Sequence, residues 1–570
     1  TPTLPEAISF TPPKPVIGLP ELPNLPSPPS FNIQLGSYCN SMTGCGSMGT
    51  NGGPYNSTYQ SYAVSISGGT VSGTLTDGRP SLRYSWSDSR RGSMNPSVLL
   101  KSYFDLQGTY TLSTSLTISS INPVANDNTL STDNRQVFLV GGSRIATLDN
   151  APAGSTLTNA TTINLEGPLT VGFEAQTDNL GSGSKHNTTA DNRSLVNSGT
   201  ITDANETTST ELDSKLVKGG QITLTGNNAT TVTRTAEGYT GYKIGLILTR
   251  EDEEQYDIYN LINNSGGIIN FQGENSIGIQ IYAPYDYNTP FAANVVVSNN
   301  TGGTITVGTE SVALATKEGD ITVAAATNFN AGESSTYIYT QKGNAVNNAN
   351  LALSKYSVGA YTEEGRIQNK ATITVGTSLI ATSVNKVSVG MATEKGTIEN
   401  YGTINVPNKY GVGMVATKGG TAINAVGATI NADGELSYGM QATDSSKLIN
   451  HGTINVRGKD ARGMAATNNS KIENTGTITI DSSATKAQGI YVDFGSEVNN
   501  TGTINLNSKT GTGILAGSGG VIKNEGTINI GPGVPVGQRK RQEGASQLSA
   551  GAITIKGPKA YIDNIEIQNS

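Results

Sequence analysis

The sequence predicts an all-β fold, a right-handed parallel β-helix with about three short strands per coil. Three observations predict it. One theme recurs, as TIENYGTINV from Thr397, KLINHGTINV from Lys447, KIENTGTITI from Lys471, EVNNTGTINL from Glu497 and VIKNEGTINI from Val521. Its asparagine falls at Asn400, Asn424, Asn450, Asn474, Asn500 and Asn524, at steps of 24, 26, 24, 26 and 24 residues. Finally, only 35% of the 570 residues are apolar and 14% charged, while glycine reaches 69. A compact globule of this length needs more core formers and more charge. Disorder is a poor fit as well, because β-branched residues are frequent and evenly spread.

Each unit carries three strand signals, GTINV, YGVGMVAT and KIEN, with apolar and polar letters alternating between turn formers. A second landmark, a glycine followed by Met or Ile, stands at Gly413, Gly439, Gly463, Gly489 and Gly513, always 11 residues before the next ladder asparagine. From the preceding isoleucine the step is 9, and 11 only where DSSATKAQ intervenes before Gly489. Insertions are thus confined to particular turns, which is the mark of a structural register. Leucine-rich repeats have a similar period but need a Leu framework, absent here. Stacked parallel strands about 4.8 Å apart would put each apolar letter above its copy in a narrow lumen. The asparagine is expected at a left-handed turn, bonded to its copies as a ladder. The glycine is expected at a sharp turn or a close strand approach.

In chain order, residues 1–30 form a proline-rich extended segment holding 10 of the 22 prolines. Residues 31–150 are read as a disulfide loop followed by a cap, the entry to the β-helix. Cys39 and Cys45, the only cysteines, are read as a small disulfide-closed loop in an oxidising, exported setting; a pair of free thiols is the alternative. The β-helix is expected over 151–570 in coils of 24–26 residues, with loop insertions around 177–195, 250–262, 283–292 and 531–551. Loops on a rigid scaffold are where binding residues concentrate.

Beyond the repeats, NPSVLLKSYFDLQGTYTLSTSLTISSINP, NRQVFLVGGSRIATLDN, GPLTVGFEAQTDN, GYTGYKIGLILT and SIGIQIYAP, with the proline-rich lead-in, carry a family likeness. They resemble the passenger region of the large fusobacterial type V autotransporter adhesins (RadD-like). The GTIN coils alone are weakly specific. The resemblance implies export to the bacterial cell surface and attachment to the outer membrane through a C-terminal barrel. The chain is therefore expected to be the N-terminal part of a longer passenger. It implies adhesion to surface proteins or glycans of partner bacteria and host cells, in biofilms, coaggregation and virulence.

Other classes fare worse. A net charge of −7 gives no basic footprint for nucleic acid, and no run of 18 apolar residues suggests a membrane helix. No heptad stalk is present, so a monomer is expected. A serine triad needs a histidine, and only His186 and His451 exist. Both read as surface residues. The acidic run Glu251 to Glu254 with Asp257 reads as a solvated loop. No catalytic residue, cofactor or metal site is assigned. Candidate contacts are Trp86 with Arg90, and the aromatic loop Tyr282, Tyr285 and Tyr287. A carbohydrate-active enzyme on the same scaffold and a purely structural stalk segment are the alternatives.

Overall fold

In the structure, a computed structural model, residues 258–282, 302–316 and 319–534 are described without internal breaks, together with shorter segments between 62 and 249 and between 551 and 569. The described regular elements are all strands. The chain divides into two compact units, one built on residues 24–332 and the other chiefly on 333–570.

The second unit is the more regular. Each coil contributes three strands to three parallel sheets. Thr403–Val406, Val412–Ala416 and Thr421–Asn424 make up one such coil. The next coil repeats it as Thr429–Ala432, Tyr438–Ala442 and Lys447–Asn450, paired letter for letter with the first. This is the parallel β-helix that the repeat predicts. The two 26-residue steps come from different corners. Ala425 to Ala428 lengthens one corner, and the segment around Asp481 to Ala487 lengthens another. Register survives both, since Thr429 still pairs with Thr403 and Gln488 with Arg462.

The lumen is built from the alternation in the sequence. Ile404, Ile430, Ile454, Ile478, Ile504 and Ile528 are fully buried, and so are Met391, Met414, Met440 and Met464. In the strands that begin at Val389, Val412, Tyr438, Arg462, Gln488 and Thr512 all five residues are buried. The landmark glycine lies there because successive strands approach too closely for a side chain. A Cβ on Gly439 would stand 2.5 Å from the carbonyl oxygen of Gly463, and one on Gly413 2.4 Å from that of Gly439. Of the two roles expected for these glycines, close approach is the one observed; their φ angles are not positive.

The ladder is present and fully buried. Asn450 Nδ2 donates to Asn474 Oδ1 at 2.8 Å, and Asn424 Nδ2 to Asn450 Oδ1 at 2.9 Å. One expectation is corrected: none of the ladder asparagines is left-handed. They end strands and bond to the corner that follows, as where Asn347 Nδ2 donates to Ala349 O and Asn347 Oδ1 accepts from Ala349 N. Left-handed residues recur two positions before the fully buried strands, as at Tyr356, Tyr410, Leu436, Asp460 and Lys486, and again in the corner after those strands, as at Lys418, Asp444, Asn468 and Phe494. That conformation costs a bulky residue free energy. It is held because the amide bonds across coils, Tyr410 N to Glu435 O and Leu436 N to Lys459 O.

Among the described residues of the unit built on 24–332, the first elements are an antiparallel hairpin, Tyr62–Ser67 with Thr70–Leu75. Parallel pairing follows, through Tyr110–Leu112, Thr156–Asn159, Asn192–Asn197 and Ile258–Asn263. The ladder already runs here, Asn159 to Asn197 to Asn263 at 2.8 Å each. The expected loops at 177–195 and 250–262 run into the strands Asn192–Asn197 and Ile258–Asn263. An antiparallel meander over Leu216–Val217, Gln221–Leu224 and Thr230–Thr233 was not singled out from sequence.

Candidate functional site

Of the sequence-based candidates, Trp86, Arg90, Tyr285, Tyr287 and the pair Cys39 and Cys45 lie outside the described residues. Tyr282 ends the strand Ile277–Tyr282, paired with Thr249. His451 is exposed at a corner, its Nδ1 2.6 Å from Thr475 Oγ1.

What the described coils present outward are two contrasting sheet faces. Alternation sends letters two and four of each four-residue strand into the lumen and letters one and three outward. On the ladder-bearing sheet the outward letters carry charge. Lys447 Nζ meets Glu473 Oε1 at 2.7 Å, Lys471 meets Glu497 at 3.4 Å, and Arg366 makes a 2.8 Å pair with Glu399. All three pairs link neighbouring coils; the two exposed lysine pairs contribute little, about 0–1 kcal/mol, whereas Glu399 is buried and also accepts from Gln368 Nε2 and Tyr401 OH.

The sheet made by TINV, TINA, TINV, TITI, TINL and TINI, from Thr403 to Ile530, presents no charge at its outward letters. Every first letter is a half-buried threonine, and the third is asparagine except at Thr479. Asparagine is a poor strand former, and here it is tied into an outer ladder. Asn431 Nδ2 donates to Asn405 Oδ1 at 2.8 Å, Asn455 to Asn431 at 2.9 Å, and Asn529 to Asn505 at 2.9 Å. At Thr479 the hydroxyl accepts from Asn505 instead, at 3.3 Å. The amides are therefore held in one orientation, one per coil, beside a threonine hydroxyl. Each amide keeps one N–H beyond the ladder bond, while the oxygen of Asn431 accepts from both Asn455 Nδ2 and Arg457 Nη1. Side chains already fixed lose less freedom when a ligand binds them. The sequence motif contains this face, because alternation places Thr and Asn opposite the buried Ile.

A third feature lies at the corner after the fully buried strands. Tyr361 OH donates to Glu394 Oε1 at 2.9 Å, and Lys418 Nζ bonds Glu394 Oε2 at 2.9 Å. Tyr339 OH pairs with Glu363 in the same way. Burial, reinforced by the adjoining carboxylates, raises both phenol pKa values well above their ordinary range, so the hydroxyls stay protonated donors. These carboxylates are engaged in holding successive coils together. Among the described residues no group of three His, Cys, Asp or Glu is placed to hold a metal ion.

Residues 419–554 are similar to the family described as the BigA third pectate lyase-like domain. The match covers the most regular coils, those that carry both ladders. No curated protein and no solved structure matches the chain.

Proposed function

We propose that this chain is an adhesin of the bacterial cell surface, the passenger part of an autotransporter, and that it attaches cells by many weak contacts without turnover. The observation that carries this reading is the Thr/Asn face, in which the same hydroxyl recurs at every coil from Thr403 to Thr527 and the same amide at every coil but that of Thr479. A surface of identical, preoriented hydrogen-bonding units suits multipoint attachment, since many modest contacts add up when they are presented together. Similarity to the BigA domain supports a surface protein on a β-helical scaffold. The partners are surface proteins or glycans of other bacteria or of host cells. Trp86, Arg90, Tyr285 and Tyr287 are further contacts in this reading.

The test compares two triple variants of the full chain in attachment to partner bacteria and epithelial cells. Thr429→Lys, Thr453→Lys and Thr477→Lys place charge on the uncharged face. Thr421→Lys, Ile449→Lys and Asn499→Lys do so on the ion-paired face. Attachment about tenfold weaker in the first set, against little change in the second, is expected, a difference of about 1.4 kcal/mol. Equal loss or no loss in both would overturn the assignment to this face. Release of sugar products from bound polysaccharide would show turnover and overturn the non-catalytic reading.

A further inference from the structure

The three sheets of the regular coils differ in burial. In strands such as Thr453–Val456 and Lys447–Asn450, buried letters alternate with half-buried ones. In the third sheet the strands from Thr336–Thr340 to Thr512–Ala516 are buried at every letter. A lumen can bury only one side of a strand. The fourth letters, from Tyr339 and Tyr361 to Tyr491 and Leu515, stack in register and lie on the other side. Tyr361 OH reaches Glu394, whose second carboxylate oxygen holds Lys418, a side chain 45% exposed. The first letters share that side, since the Arg462 guanidinium stacks on the Tyr491 ring of the next coil, Cζ to centroid 3.8 Å.

This outward face is closed to solvent. Its fourth letters are at most 8% exposed and its first letters at most 9%. It is uncharged apart from Arg462, and it is aromatic. The Tyr339 and Tyr361 rings lie 6.1 Å apart, and Tyr438 and Tyr491 stand further along. Among the described strands, its packing partners belong to the same or adjacent coils, and these meet it at corners and across the lumen. The cover on its outward side therefore comes from chain outside the described residues.

We propose that the cover is the proline-rich segment 1–23 of the same chain, laid along the aromatic face. The compact unit that holds these coils also takes in residues 1–23. TPTLPEAISFTPPKPVIGLPELP carries seven prolines and three charges, Glu6, Lys14 and Glu21, beside Ile8, Phe10, Val16 and Ile17. Such a segment favours polyproline II, which has no internal hydrogen bonds to break and docks in aromatic-lined grooves at little entropic cost. Its reach suffices. At about 3.1 Å per residue, 23 residues extend ~70 Å, whereas the strands from Thr336 to Ala516 need ~34 Å at one strand spacing per coil. The basic run QRKRQ at 538–542 is a poor alternative, because it would carry its charges out of water onto an uncharged surface. This inference is independent of the adhesive reading.

Hydroxyl-radical footprinting of the full chain tests it, with oxidation read at each tyrosine by mass spectrometry. Tyr339, Tyr361 and Tyr491 are expected to be protected in the native chain, while Tyr401, 45% exposed, is oxidised. In the variant Ile8→Asp, Phe10→Asp, Ile17→Asp, which leaves every coil residue unaltered, oxidation of the three should rise several-fold, with Tyr401 unchanged. Ready oxidation of the three in the native chain, or equal protection in the variant, would overturn the proposal. With the photo-cross-linker p-benzoylphenylalanine in place of Tyr491, irradiation should join that position to residues 1–23. A cross-link to another segment or to a second copy, or none at all, would also overturn it.

Discussion

Two asparagine ladders run through the same coils, and they differ in what surrounds them. The inner one, through Asn400, Asn424, Asn450, Asn474, Asn500 and Asn524, is at most 1% exposed. The outer one, through Asn405, Asn431 and Asn455 and again through Asn505 and Asn529, sits half-buried on a sheet face. Both use the same bond, Nδ2 of one coil to Oδ1 of a neighbour, at 2.8–2.9 Å for Asn450 and Asn455. Loss of an inner rung leaves buried groups with nothing to bond. Loss of an outer rung hands its partners to water. Identical letters at identical spacing thus stand in different surroundings, the inner ladder holding the coils in register and the outer one fixing amides on an outward sheet face.

The largest break in this comparison is expected from Asn450→Ala. It strands Asn474 Oδ1 and takes the best acceptor from Asn424 Nδ2. At about 1–3 kcal/mol for each orphaned group, the loss should be about 2–4 kcal/mol, read from urea unfolding of the full chain. Next comes Gly439→Ala, which disturbs both ladders by forcing two strands apart. Its Cβ would meet Gly463 O at 2.5 Å and Ile454 Cγ2 at 3.2 Å. Because the nearer atom is backbone, a cost of about 1–3 kcal/mol is expected in the same measurement.

A smaller effect concerns the corner that follows the strand Gln488–Val492. Burial raises the pKa of Asp493 above its ordinary value of 3.8, although Thr467, Tyr491 and Arg462 pull the other way. The folded chain therefore holds that proton to higher pH than the unfolded one. Its stabilising contribution is full below the unfolded value and declines as pH rises through the raised folded value. Urea midpoints across pH 3.5–7 should show this decline in the native chain and a flatter profile in Asp493→Asn. The smallest effect is expected from Asn455→Ala, within about 0.5 kcal/mol in stability, as for most surface substitutions. A loss there as large as that of Asn450→Ala would erase the distinction between the ladders.

The regular coils were legible in the sequence because their period is nearly constant and their apolar letters alternate. Strand order, three strands per coil and Asn450 above Asn474 all follow from that pattern, and the structure agrees. The ladder members Asn347 and Asn369 were missed for a physical reason. Their coils lack GTIN, and the step from Asn369 to Asn400 is 31 because the hairpin Leu379–Ala381 with Val384–Lys386 is inserted. In Thr336–Thr340 the landmark glycine is replaced by Tyr337, buried with its hydroxyl donating to Ala352 O. Arg462 was passed over because a charged letter at a strand start reads as solvent-facing. Only the burial of all five positions in that sheet reveals otherwise.

The account rests on vertical stacking of like letters, and pairwise spin labelling measures that directly. Labels at Thr403 and Thr503 are four coil steps apart, and labels at Thr403 and Thr527 five. With Cys39 and Cys45 replaced by serine, electron–electron resonance should give about 19 Å for the first pair and about 24 Å for the second, one strand spacing of about 4.8 Å per step. Separations that fail to grow with the number of coils, or that both exceed about 40 Å, would contradict a single winding backbone.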